Sequence, residues 1–333
     1  MKTTAEAVSY LHPDKICDQI SDAIVDLHLD LDPTARVAVE CAGGHGSVTL
    51  YGEVTSKVQV DYEPVVQKTY KILTGNDIEV FGHITKQSPD IAKGVDKGGA
   101  GDQGIMVGYA TRDTKKGMPR DLQMAKDLLI PFKADAKSQV TYDWVKDTPT
   151  DIVLSVQGKS KKELEQYIAE FTVSNPNYYF REVVKKYCNN TGAFEIGGFD
   201  ADSGVTGRKI VQDQYGPSVP TGGGAFSGKD PTKVDRSGAY MARWLALNLL
   251  HKYGEDYVVV SIAYVIGSKY PVMIEAIVDG VPFNRMDTFI RGYKIDMSVE
   301  GIIERFDLRR PIYQDLAKNG HFGRAKLPWE KLI

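Results

Sequence analysis

Two glycine-rich stretches interrupt an otherwise periodic 333-residue chain, one from Lys86 to Gly104 and one from Gly197 to Gly238. Glycine gives up more backbone freedom on ordering than any other residue, so such stretches end helices and strands rather than build them. Long loops inside compact domains commonly carry function. These two divide the chain into three blocks, placed at 1–90, 99–197 and 198–333, with a loop at 87–101 joining the first two.

Inside the blocks the periodicity is legible. Ile16, Ile20, Ala23, Ile24 and Leu27 recur at helical spacing between Asp14 and Leu31, with Pro13 at a first-turn position. Ser160 and Glu163 form a capping-box pattern ahead of a short helix ending near Phe171. A long helix is predicted from Lys233 to Tyr253, stopped by Gly254. Strand-like runs cover 36–40, 48–55, 151–157, 258–265 and 272–278, and Gly43-Gly44-His45-Gly46 reads as a hairpin turn between the first two. Consecutive strands joined by short turns favour α+β layers over a doubly wound parallel sheet.

Composition narrows the class. With 42% hydrophobic residues the chain can bury a large core without staples. Its 41 basic and 44 acidic residues nearly cancel, so no global field draws it to nucleic acid or membrane, and any anion site must be local. Cys17, Cys41 and Cys188 are too few and too scattered for a disulfide framework and suggest a reducing compartment. The N-terminal residues lack a secretory pattern, and no apolar run approaches the ~20 residues of a membrane span. The expected location is the cytoplasm.

The chemistry concentrates at the glycine stretches. Gly223, Gly228 and Lys229 satisfy the spacing of a P-loop, but Asp230 stands where that motif needs Ser or Thr, and no buried strand precedes it. Two readings stay open for this segment: a phosphate cradle of backbone N–H groups and lysines, or a flexible loop. His12-Pro13-Asp14-Lys15 places a proton donor, a carboxylate and an ammonium at a helix entrance. Asp14 suits Mg²⁺, which takes one or two protein carboxylates and lets phosphate oxygens complete its shell, with Asp235 as a second carboxylate. Asp18 and Asp22, at i, i+4 spacing from Asp14, read as a solvated acidic face. Asp135-Ala-Lys-Ser-Gln139 and Asp202 to Lys209 read individually as charged surface turns.

Taken together, His12-Pro-Asp-Lys15, Lys86-Gln-Ser-Pro-Asp90, Gly99-Ala-Gly-Asp-Gln-Gly104, Asp135 to Val140, Gly207-Arg-Lys-Ile210, Gly222 to Ser237 and His321-Phe-Gly-Arg324 closely resemble the S-adenosylmethionine synthetases, in the same order from about Glu6 to Glu330. The resemblance implies a fold of three similar α+β domains. It implies transfer of the adenosyl group of ATP to the sulfur of L-methionine, releasing tripolyphosphate that is then hydrolysed. It further implies Mg²⁺, two ions per site, and K⁺ as cofactors. The partner it implies is a second copy: a homodimer with shared active sites, which in the family often pairs into a homotetramer.

By motif match, His12, Lys137, Asp102, Arg208 and Lys229 are the implied catalytic residues. ATP would be held by His12, Asp135, Lys137, Phe194, Asp202, Arg208, Lys209, Ala225 and Lys229, and methionine by Glu53, Gln87, Asp202, Lys233 and Ile266. Asp14 and Asp235 would hold Mg²⁺ and Glu40 a K⁺ ion, and the loop at 87–101 would gate the site. Three departures stand out: Leu11 replaces a family glycine beside His12, Ala193 replaces a frequent arginine before Phe194, and the gating loop is short. A tripolyphosphate or ATP hydrolase and an inactive regulatory homologue are the alternative functions.

Overall fold

Alternation builds the first sheet. In β2 (Arg36–Gly44) Val37, Val39 and Cys41 are buried while Glu40 is exposed, and β3 (Ser47–Thr55) pairs with it antiparallel. The turn between them is His45-Gly46, with φ of 51° and 86°, the two left-handed residues of a type I′ hairpin. The computed structural model describes residues 1–87, 98–182 and 184–333. Most of the predicted gating loop, 88–97, lies outside the described residues.

The remaining strands are β1 (Lys2–Val8), β4 (Glu79–Thr85), β5 (Gly104–Thr111), β6 (Ala136–Asp143), β7 (Thr148–Val156), β8 (Lys185–Cys188), β9 (Gly204–Val205), β10 (Tyr257–Tyr264), β11 (Met273–Val278) and β12 (Val281–Pro282). Among the described residues these form three four-stranded sheets, ordered β4-β3-β2-β9, β1-β6-β7-β8 and β12-β11-β10-β5. The pairs β3–β4 and β7–β8 are parallel, and the others are antiparallel. Each block of sequence lends its first strand to a sheet made mainly by another: β1 joins β6–β8, β5 joins β10–β12, and β9 joins β2–β4.

Helices cover the sheets. They are α1 (Pro13–Leu31), α2 (Glu63–Thr74), α3 (Arg120–Asp127), α4 (Lys161–Ser174), α5 (Ile210–Asp213), α6 (Val234–Tyr253), α7 (Met286–Gly292), α8 (Val299–Phe306) and α9 (Tyr313–Asn319). Ile16, Ile20 and Ile24 of α1 share one large core with Val37, Val39, Leu50, Met106, Trp244 and Val260, which binds the first and third sheets together. The β1-β6-β7-β8 sheet has its own core of Met124, Leu128, Val140, Ile152, Leu164 and Ile168. Cys17, Cys41 and Cys188 are buried free thiols.

The Ser160–Glu163 capping box is complete in both directions, and α4 runs on to Ser174, three residues past the predicted end. Gly254 follows α6 in an extended conformation, φ −92°, rather than a left-handed cap. A glycine suits it because a Cβ would come within 2.9 Å of Leu250 Cδ1. Leu11 has an ordinary negative φ, so the backbone beside His12 does not require the freedom of the glycine it replaces.

The solvated acidic face predicted for α1 is overturned. Asp14, Asp18 and Asp22 are each 0% exposed. Strand β9 and the two glycine turns close over this face and donate backbone N–H groups to it, so the carboxylates are buried with partners, as buried charge requires.

Candidate active site

His12 caps α1, its Nδ1 accepting the Asp14 N–H at 3.1 Å. Burial, followed by the charges of Lys137 and Lys209, lowers its pKa to about 4. The ring is therefore neutral near pH 7, and with Nδ1 serving as acceptor the proton resides on Nε2. Asp14 accepts the Val205 N–H at 3.0 Å, meets Arg208 Nε at 3.2 Å and takes a short hydrogen bond from Lys209 Nζ. Burial pushes its carboxyl up, but the Lys209 and Val205 hydrogen bonds outweigh that and hold it below its ordinary range.

The neighbouring motif residues gather here. Asp135 receives the Gly198 N–H at 3.0 Å, while its buried Oδ1 has no hydrogen-bond partner among the described residues. Burial raises its carboxyl, and the charges of Lys137 and Asp202 act on it as they act on His12. Lys137 is exposed, without an ion-pair partner among the described residues. Phe194 is tied to the same corner, since its carbonyl accepts the Gly158 N–H and Gln157 bonds the Asp135 backbone.

The Gly222–Asp235 part of the second glycine stretch forms another cluster. Lys229 Nζ lies 2.6 Å from Asp235 Oδ2, and Asp235 Oδ1 accepts the Gly224 N–H at 3.0 Å. Gly228 donates to Asp22 at 2.8 Å. The glycine amides thus do cradle anions, but here those anions are the chain's own carboxylates. Asp230, the residue that spoils the P-loop, is fully buried, accepts the Val37 N–H at 2.6 Å and pairs with Lys233. A bridge between Ala38 and Lys229, with Ala38 opposite Glu53 in the β2–β3 ladder, sets Glu53 one strand away from this lysine. Ala225 packs where a Cβ on Gly207 would lie, 2.6 Å away, so the loop touches the Arg208 turn.

Other predicted residues stand apart. Ala100 exchanges backbone hydrogen bonds with Gly267 and Ser268, each 2.8 Å, which brings exposed Asp102 toward the turn carrying Ile266. Glu40 lies on the outward face of β2, opposite Tyr51. Gln87 is buried, with no partner for its Oε1 among the described residues. An open cavity of about 930 Å³ runs beside Asp235, lined by Gly104, Ile105, Val107, the Gly222–Gly224 turn and Ser261. No hydrogen bond or ion pair joins the Asp14 cluster to the Asp235 cluster among the described residues.

The donor set bears on metal. No group of three His, Cys, Asp or Glu side chains able to hold an ion occurs among the described residues. Asp14 and Asp235 are isolated carboxylates, each facing a lysine, which suits Mg²⁺ that arrives with phosphate oxygens and not an all-protein cage.

Sequence reasoning missed Asp18, Asp22, Asp213 and Arg236, which buttress both clusters from behind. The recurrence of Asp at 14, 18, 22 and 26 puts four carboxylates on one helix face, but that spacing alone does not tell a buried face from a solvated one.

Comparison with known proteins agrees along the whole chain. Family models described as the N-terminal, central and C-terminal domains of S-adenosylmethionine synthetase match residues 1–89, 97–194 and 196–331. An S-adenosylmethionine synthase from Clostridium tetani is 39% identical, the match covering 99% of this chain and 96% of that protein. A solved structure described as an unusual S-adenosylmethionine synthetase from Campylobacter jejuni superposes with a TM-score of 0.88 at 28% identity, covering 99% of this chain and 96% of its own. With three domain models in order and a full-length relative, this chain belongs to the S-adenosylmethionine synthetase family.

Proposed function

We propose that the protein makes S-adenosylmethionine from ATP and L-methionine. The S–C5′ bond forms as the C5′–O bond to the triphosphate breaks, and tripolyphosphate leaves with that electron pair. Water then cleaves tripolyphosphate to phosphate and pyrophosphate. The observation that carries this reading is the pairing of Lys209 with Asp14 and Lys229 with Asp235, cations held ready in glycine turns. A thioether has no proton to lose, so the first step needs placement and charge stabilisation in preference to a general base.

The side chains take roles accordingly. Neutral His12 donates from Nε2 to an oxygen of the leaving group, and Lys137, Arg208, Lys209 and Lys229 receive its charge. Lys209 and Lys229 would turn to triphosphate oxygens, and Asp14 and Asp235 would then hold Mg²⁺, which would neutralise further phosphate charge. Glu40 would hold K⁺. The open Oδ1 of Asp135 suits a ribose hydroxyl, Phe194 the adenine face, and Ala225 the nucleotide's edge. Glu53, Gln87, Asp202, Lys233 and Ile266 would form the methionine pocket, with Asp102 near the sulfonium. The Asp14 and Asp235 clusters share no hydrogen bond or ion pair among the described residues, and exposed Ile105 lines the cavity beside the latter; the complete site would be assembled by a homodimer, with a dimer of dimers as the larger form. The family chemistry fits a cytoplasmic enzyme.

One incubation with ATP, methionine, Mg²⁺ and K⁺ tests this: sulfonium product should appear together with phosphate and pyrophosphate. Phosphate release from tripolyphosphate without sulfonium would make the protein a hydrolase. No turnover would leave a regulatory homologue.

A further inference from the structure

Helix α1 presents a carboxylate every fourth residue to segments remote in sequence. Asp14 accepts the Val205 N–H at 3.0 Å, Asp18 the Gly207 N–H at 2.8 Å, Asp22 the Gly228 N–H at 2.8 Å, and Asp26 the Tyr313 N–H at 2.8 Å. Four residues of α-helix rise about 6 Å, so the four form an evenly spaced ladder. Among the described residues, Asp14 alone of the four pairs with Arg208 and Lys209.

The middle rungs hold the residues that flank those cations. Asp18 is bound by Lys15 at 3.1 Å, and Lys15 also reaches Asp213 at 2.9 Å. The segment carrying Arg208 and Lys209 is therefore gripped at both ends, at Gly207 by Asp18 and at Asp213 by Lys15. Asp22 is gripped by Arg236 Nη2 at 2.7 Å, and Arg236 Nη1 donates to the Lys229 carbonyl at 2.6 Å. The backbone of Lys229 is thus fixed on both sides by one buried ion pair. Burying carboxylates is unfavourable unless their partners are fixed, and charge-assisted hydrogen bonds are roughly twice as strong as neutral ones.

We infer that Asp18 and Asp22 are positioning residues: each anchors one cation-bearing turn, Asp18 that of Arg208 and Lys209 and Asp22 that of Lys229, while touching no substrate. The inference rests on the proposed role of those cations in holding the triphosphate.

Amide hydrogen exchange and binding of Mg²⁺–tripolyphosphate test it in Asp18→Ala, Asp22→Ala and the corresponding asparagine variants. Asp18→Ala should speed exchange at residues 207–209 about tenfold or more and leave 228–229 unchanged, with the reverse for Asp22→Ala. Tripolyphosphate affinity should fall about tenfold in each, and Asp18→Ala combined with Lys209→Ala should cost less than the product of the single effects, because coupled residues are not additive. Asparagine, which keeps an acceptor oxygen, should restore part of the exchange protection, and these variants carry the test if the alanine variants fail to fold. Exchange rising uniformly along the chain, or multiplicative effects on binding, would reduce both residues to structural staples and overturn the inference. The proposed reaction is judged separately, by sulfonium product from the wild-type protein.

Discussion

Arg243 of α6 meets Glu330 in a two-pronged ion pair, Nε to Oε1 and Nη2 to Oε2 at 2.9 Å each. Its other three N–H groups go to the carbonyls of Tyr109, Gly117 and Lys116. All five guanidinium donors are used in a fully buried side chain. Arg243→Lys keeps the charge but loses the planar fork and strands several acceptors. Denaturant unfolding at pH 7 should show a loss of about 1–3 kcal/mol or more, the cost of leaving buried acceptors unsatisfied; a loss under about 1 kcal/mol would mean that the fork is replaceable.

Lys137 is exposed at the start of β6, and its charge reaches both His12 and Asp135. Lys137→Met should lower the rate of sulfonium formation roughly 10²–10³-fold, the scale of losing one charge-stabilising group, with circular dichroism and the unfolding midpoint unchanged. Near-normal turnover would remove Lys137 from the mechanism.

A Cβ on Gly204 would lie 2.2 Å from the carbonyl atoms of Pro13, where β9 crosses the start of α1. Gly204→Ala must push the two apart and so lengthen the bond from Val205 to Asp14. Activity should fall further than stability, seen as a drop in kcat per folded molecule at a temperature well below the melting point.

His321 is fully buried against Tyr240 and Phe226, and burial holds its pKa well below the ordinary value. An unfolded histidine takes up its proton near pH 6.5 while the folded one does not. The native state therefore keeps this stability above pH 6.5 and loses it as pH falls toward the depressed folded value, by up to about 1.4 kcal/mol per pH unit. Unfolding free energies of His321→Phe between pH 7 and 5 should show a slope shallower by about one proton than wild type. Parallel slopes would place the acid sensitivity elsewhere.

Because Asp14 and Asp235 each pair with a lysine of the chain, a chelator should barely move the melting temperature of the protein without nucleotide. With ATP or tripolyphosphate, Mg²⁺ should raise it by several degrees through linkage. Strong stabilisation by Mg²⁺ alone would point to a protein-built metal cage.

Local structure was legible where local interactions decide it. A hairpin turn within Gly43-Gly44-His45-Gly46, which the structure narrows to His45-Gly46, the Ser160 capping box and the start of α1 all came from adjacent residues. The fate of Asp18 and Asp22 was not, because i, i+4 carboxylates look alike whether solvated or buried, and their partners Gly207 and Gly228 lie 189 and 206 residues away. The same limit hid β1, β5 and β9 among other strands, since their pairing is decided by segments far along the chain. His12, Asp14, Arg208 and Lys209 fall in one cluster, whereas exposed Asp102 and outward-facing Glu40 share no hydrogen bond or ion pair with that group among the described residues.

The exchange of first strands among the three sheets makes the blocks interdependent. Each block, expressed alone, would lack one strand of its own sheet and carry an orphan meant for another, leaving open edges of the kind that aggregate. Such pairings also span long stretches of chain, so they form late and favour slow folding. The threefold repetition of form therefore works like a ring of interlocked links: no third can be excised, replaced or evolved as an independent module without its two neighbours.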